Sequence, residues 1–266
     1  MDTAAKGYIG VLDSGVGGLS VLRYIHQLLP NHPTIYIADE GHLPYGPRPQ
    51  DEIRTFVMTL AQFLLERGAS VLVIACNSAS AAALYALRQK YPDVPIVGME
   101  PAVKPAVKAS QSRVIGVLTT QATANGILYQ RVLERFANGC QVITQITPEL
   151  VQLAEQQSGD TAEGQAILRH YLQPLLDAGA DHVALACTHF PFLVDAMRRF
   201  TGDAITYIDP APAVARQVVR VWPKDIPPAK GHNTYFTTGE PEHLQHALKT
   251  LIQVDTTVTA LNFEQL

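Results

Sequence analysis

Compact runs of Val, Ile and Leu recur along the chain at residues 8–12, 34–38, 70–75, 95–98, 113–118, 141–146, 182–186 and 205–208. Their continuous apolar character, without strict alternation, predicts strands buried on both faces. Between them lie stretches with helical spacing, at residues 19–29, 50–67, 78–90, 122–136, 161–178, 192–200 and 211–221. Strands alternating with helices predict parallel sheets with helical crossovers. Gly68 and Gly179 stand where helices end before a strand, and Asp160 with Glu163 reads as a capping box opening the helix that follows.

The pattern is written twice. Residues 64–76 and 175–187 are identical at six of thirteen aligned positions, and Ile9-Gly10-Val11-Leu12 returns as Ile115-Gly116-Val117-Leu118. The repeat predicts an α/β fold of two pseudo-symmetric domains, each with a largely parallel sheet flanked by helices and with the active site in the cleft between them. Crossovers near Gly98 and Ile208 divide the chain into residues 1–97 with 208–266, and residues 98–207. After a Pro-rich connector at residues 222–232, the tail reads as strand, helix and strand; periodicity does not tell which domain receives it.

Composition narrows the partners. The 266 residues are 47% hydrophobic and 17% charged, with a formal net charge of -4. Such a chain suits a folded enzyme and offers no basic field for a nucleic acid or an anionic membrane. The start lacks the charged and long apolar regions of an export signal, and no apolar run approaches the roughly 20 residues that span a bilayer. A cytoplasmic protein with reduced thiols is therefore expected, and its three cysteines do not read as a disulfide framework.

In parallel α/β sheets, ligands bind beyond the carboxyl ends of the strands. The residues there are Asp13-Ser14-Gly15-Val16-Gly17-Gly18, Asp39 with Pro44-Tyr45-Gly46, Cys76-Asn77-Ser78, Thr119-Thr120 and Cys187-Thr188-His189. The glycine-rich turn lacks the ending of a P-loop, and reads equally as a tight turn whose glycines supply positive φ and close packing. A lone cysteine is usually core packing. Two at equivalent positions of a repeat instead place a thiol on each side of one cleft, where a helix start can depress a thiol's pKa. A carbon that loses a proton from one face and gains one on the other needs such a pair.

Neither cysteine has the short Cys-x-x-Cys spacing of a zinc or redox site, so no metal is expected; a Cys187–His189 nucleophile would leave Cys76 without a role. Asp13, His189 and Glu155 are candidates to polarise the thiols. Each has a duller reading as well: Asp13 and His189 as turn or cap residues, Glu155 on a solvated helix face. Cys140 has no counterpart in the other half, and His42, His232, His243 and His246 read as exposed.

The ordered set IGVLDSGVGGLSVLR, Pro44-Tyr45-Gly46, IACNSAS and ACTHFP resembles the bacterial glutamate racemases, and the resemblance runs from about Tyr8 to the final helix. It implies cofactor-independent interconversion of L- and D-glutamate, supplying D-glutamate for peptidoglycan and so for cell-wall biogenesis and cell shape. Cys76 and Cys187 would be the acid/base pair, with Cys76 acting on D-glutamate and Cys187 on L-glutamate. Substrate contacts are implied at Asp13, Ser14, Tyr45, Gly46, Asn77, Ser78, Thr188 and His189, with Glu155 in PELVQLAE as the auxiliary acid. Ser78 stands where the family usually has Thr, Ala186 where it has Gly, and Thr147 where a Cys is common. The chain also lacks the N-terminal extension of family members activated by a cell-wall precursor, so no such activator is expected. The resemblance admits a homodimer. An aspartate or other acidic amino-acid racemase shares the twin-cysteine plan, and a two-lobed amino-acid-binding protein is the reading without catalysis.

Overall fold

The computed structural model describes residues 7–266, whose strands form two wholly parallel sheets. The first contains β1 (Tyr8–Asp13), β2 (Thr34–Ala38), β3 (Ala69–Ile74) and β4 (Ile96–Gly98), and is extended by β9 (Thr234–Thr237) and β10 (Thr259–Ala260). Its order is β10-β9-β2-β1-β3-β4. The second contains β5 (Val114–Thr119), β6 (Gln141–Ile146), β7 (His182–Ala186) and β8 (Thr206–Ile208), in the order β6-β5-β7-β8. Adding four to each strand of the first core order, β2-β1-β3-β4, gives the second. The repeat in the sequence is thus a repeat of topology, and the tail's strands belong to the first sheet, at its β2 edge.

Strand residues sort by parity, as a pleated sheet requires. Ile9, Val11, Val71 and Val73 face a cluster with α1 (Leu19–Leu28), α10 (Ala211–Val221) and α11 (Pro241–Ile252). Leu12, Leu72 and Ile74 face α2 (Gln50–Glu66) and α3 (Asn77–Lys90). Helix α2 shows why these segments are helical: Ile53, Val57, Leu60, Ala61 and Leu64 recur at three- and four-residue spacing and are all buried. In the second sheet, Ile115 and Val117 face α4 (Val103–Ala109) and α6 (Ile127–Phe136). On the other side, Leu118, Val183 and Leu185 meet α7 (Pro148–Glu155), α8 (Ala162–Asp177) and α9 (Val194–Thr201). Among the described residues, no helix is long and apolar enough to cross a membrane.

Several local expectations change. The helix expected over 122–136 is broken at Asn125-Gly126 into α5 (Gln121–Ala124) and α6, where a Cβ at Gly126 would press on Ala81. Asp160 does not cap α8; Thr161 does, its hydroxyl accepting from the Gly164 N–H at 3.0 Å, while Asp160 pairs with Arg199. Helix α4 escapes the periodicity, and the helix that carries Glu155 is α7, with Pro148 at its start. His42 is half-buried against Phe56, with Nδ1 2.8 Å from Asp39 Oδ1. Gly68 and Gly179 do carry the positive φ of helix ends, at 90° and 78°.

Candidate active site

Register places the chemistry. Strand β1 pairs with β3 so that Leu12 lies beside Ile74, and β5 pairs with β7 so that Thr119 lies beside Ala186. The next residues on the inner strands are Asp13 and, after Ala75, Cys76 on one sheet, and Cys187 on the other. Both cysteines line a cavity of about 490 Å³ between the two sheets, together with Ser14, Tyr45, Gly46, Asn77, Ser78 and His189. Asp13, Thr188 and Glu155 stand behind that wall, almost fully buried.

The two thiols have different surroundings. Cys76 is the N-cap of α3; its sulfur accepts from the Ala79 N–H at 3.5 Å and lies 3.7 Å from Ser14 Oγ. Burial nevertheless pushes its thiol up to about 12, the charge of Asp13 adding to the shift and the Ala79 and Ser14 contacts only partly offsetting it. The expected depression by the helix start therefore does not prevail: one turn of dipole is outweighed by desolvation and an adjacent carboxylate. Burial also raises Asp13, against the nearby charge of His189 and hydrogen bonds from the Gly15 N–H and the Thr188 hydroxyl. Asp13→Asn removes the like charge. The thiol pKa read from ultraviolet thiolate absorbance in the Cys187→Ser background should fall from about 12; an unchanged value would mean that Asp13 does not face this sulfur.

On the opposite side, Cys187 Sγ lies 3.5 Å from His189 Nδ1, and His189 Nε2 lies 2.6 Å from Glu155 Oε1. Burial alone would favour neutral imidazole, but Cys187 and Glu155 outweigh it and hold the His189 pKa well above the usual histidine range. Burial likewise works against the Glu155 carboxylate, yet His189 and the Val16 N–H keep its pKa below the ordinary value. Glu155 is thus no solvated helix face. It is the last residue of α7, 9% exposed, and Oε1 also accepts from the Val16 N–H of the other sheet's turn at 3.1 Å.

The glycine-rich turn owes its composition to this approach rather than to positive φ, which none of Gly15, Gly17 and Gly18 shows. A Cβ on Gly15 would run into Glu155 Oε1; one on Gly17 would sit 2.5 Å from Thr188 Oγ1 and 2.6 Å from His189 Nδ1. Gly17→Ala should therefore wedge Thr188 and His189 away from the first sheet and lower turnover about tenfold, while leaving thermal unfolding close to wild type. Full activity in that variant would show that the two walls part without consequence.

The rest of the wall is polar and partly unsatisfied. Among the described residues, neither amide atom of the buried Asn77 side chain has a hydrogen-bond partner. Such groups are costly unless a ligand takes them. Ser78 Oγ lies 2.9 Å from Thr120 Oγ1, and the Ala122 N–H donates to the Gly46 carbonyl at 2.9 Å, so both contacts join one sheet's loops to the other's. Tyr45 donates to Asp39 Oδ2 at 2.5 Å. Ile146, Pro148, Val151 and Gln152 also line the cavity; the run PELVQLAE places Glu155 in sequence, but nothing in the spacing marks its preceding turns as wall.

Comparison with known proteins decides the family. The Asp/Glu/Hydantoin racemase family model matches residues 9–218. A glutamate racemase of Roseiflexus sp. (strain RS-1) is 44% identical over 248 residues, 91% of this chain and 91% of that protein. This chain belongs to the glutamate racemase family. The crystal structure of Escherichia coli glutamate racemase in complex with L-glutamate and the activator UDP-MurNAc-ala superposes with a TM-score of 0.87 at 32% identity, covering 96% of this chain and 98% of that one. Glutamate racemase from Thermus thermophilus in complex with beta-chloro-D-alanine gives a TM-score of 0.80 at 32% identity, over 99% and 100% of the two chains. Membership makes the chain an amino-acid racemase of the isomerase class.

Proposed function

We propose that this protein interconverts L- and D-glutamate without a cofactor, with Cys76 and Cys187 as the two proton-transfer groups. The observation that carries the reading is two buried thiols from topologically equivalent strand ends lining one cavity. In one direction a thiolate removes the α-proton and the opposite thiol delivers its own to the other face; the reverse direction exchanges the roles. The high pKa of Cys76 makes it an acid at rest. Ser14, Tyr45, Gly46, Asn77 and Ser78 hold the substrate from the first sheet, and His189 from the second. Asp13 and Thr188, joined by a 3.0 Å hydrogen bond, set the floor beneath it.

Residues 1–97 with 208–266 and residues 98–207 are the two domains of this reading. The cavity with both thiols lies where these halves face each other, so their relative position sets the separation of the thiols. The family relationship also supports a cytoplasmic protein that supplies D-glutamate to peptidoglycan synthesis, assembled as a homodimer whose mass sedimentation would read. The direct test is incubation with either glutamate enantiomer in D2O without additives. Loss of optical activity with deuterium at the α-carbon of the product is expected, and aspartate should be turned over far more slowly. Glutamate that binds yet keeps both its rotation and its α-proton would defeat the reading.

A further inference from the structure

Behind the His189 side of the cleft, Glu155 belongs to a second cluster, whose other two members racemisation does not use. Glu40 lies in the turn after β2, His243 in the first turn of α11, and Glu155 closes α7. One ligand atom from each lies within 4.8 Å of the others. His243 Nδ1 is 2.8 Å from Glu40 Oε1, and its Nε2 is 3.8 Å from Glu155 Oε2. The Glu40 and Glu155 side chains are 7% and 8% exposed, whereas His243 is 44% exposed and opens to solvent.

The decisive atom is Glu155 Oε2. Its sister oxygen accepts from both the Val16 N–H and His189. Oε2 itself is buried and, among the described residues, has no hydrogen-bond partner, facing the cluster across a gap too long for a hydrogen bond. A buried carboxylate oxygen in that state is incomplete. Glu40 is already oriented as a ligand would be, its Oε2 accepting from the Thr237 hydroxyl at 2.6 Å; such outer contacts fix carboxylates that bind metals.

We propose that Glu40, Glu155 and His243 form a binding site for a divalent transition metal of the zinc class, and that its occupancy slows the enzyme. Two carboxylates and one imidazole are a zinc-type donor set with room for water at a fourth position, whereas magnesium and calcium prefer oxygen alone. Tetrahedral zinc needs its ligands about 3.4 Å apart, and the solvent-facing His243 side chain is the one free to close that distance. The metal would tie Glu155, from the second sheet's layer, to Glu40 and His243 of the first. It would also draw charge from the carboxylate that holds His189 beside Cys187. Metal binding stands without the assigned catalysis; the slowing rests on the racemase reading.

The test separates the two. Full-length Cys76→Ser/Cys187→Ser protein, stripped with EDTA, is titrated calorimetrically with zinc chloride, so that the cleft thiols contribute nothing. One site per chain is expected, weakened about tenfold or more by His243→Gln and by Glu40→Gln, with no heat from magnesium chloride. Absence of zinc binding, or zinc binding that His243→Gln leaves unchanged, overturns the site. In the cysteine-intact enzyme, zinc should slow racemisation, and His243→Gln should keep its metal-free rate while resisting zinc. Equal inhibition of that variant would assign the effect to the thiols and overturn the regulatory half alone.

Discussion

Cys76→Ser and Cys187→Ser should each reduce racemisation by about 10³- to 10⁴-fold, and should do so equally for both enantiomers. The equality follows from symmetry. L- and D-glutamate have the same free energy, so the ratio of the two kcat/KM values is fixed at one however the enzyme is altered. What distinguishes the variants is partial chemistry. With Cys187 replaced, Cys76 can still withdraw a proton from D-glutamate and return a solvent deuteron to the same face; with Cys76 replaced, the same holds for L-glutamate and Cys187. Each variant is thus expected to exchange the α-proton of one enantiomer without inverting it, in complementary fashion. Serine cannot substitute, because its hydroxyl is far more basic once deprotonated and no group here brings it near working pH. Exchange into both enantiomers by either variant would show a single group serving both faces. Retained racemisation would remove the thiols from the reaction altogether.

Much of this geometry was legible in the chain because it rests on topology. Hydrophobic runs gave the eight core strands, and the echo between residues 64–76 and 175–187 pointed to equivalent positions for Cys76 and Cys187, which the sheet orders β2-β1-β3-β4 and β6-β5-β7-β8 reproduce. What escaped depends on contacts between distant segments. Glu155 on its own helix looks solvated; only the close approach of Gly15 and Val16, about 140 residues earlier, buries it. The pKa of Cys76 could not be read from its cap position, since desolvation and Asp13 act through the assembled cleft. Glu40 carried no spacing signal at all, because His243 reaches it from the far end of the chain. Helix α4 was missed for a local reason: it spans only 7 residues, too short for a period of 3.6 to declare itself.

Glu155→Gln should lower kcat about 10²-fold, with KM for glutamate much less affected. Glu155 does not line the cavity; it acts through His189, whose Nε2 it holds at 2.6 Å while Nδ1 faces the Cys187 sulfur. Glutamine preserves the shape and can still accept from the Val16 N–H, so the fold should survive. The charge is lost, however, and with it one of the two influences that outweigh burial at His189. The sign then follows. The imidazolium persists to high pH in the wild type because its pKa is raised; without Glu155 that pKa falls, and the proton leaves at lower pH. The alkaline limb of the kcat profile should accordingly move toward neutrality, and the loss of rate should deepen as pH rises. A residue that merely packed α7 against the glycine-rich turn would lower activity at every pH alike, leaving the limb where it was. A shifted limb makes the Glu155–His189–Cys187 line a proton-holding device reaching from one sheet's helix to the other sheet's turn, and an unshifted one reduces Glu155 to a strut.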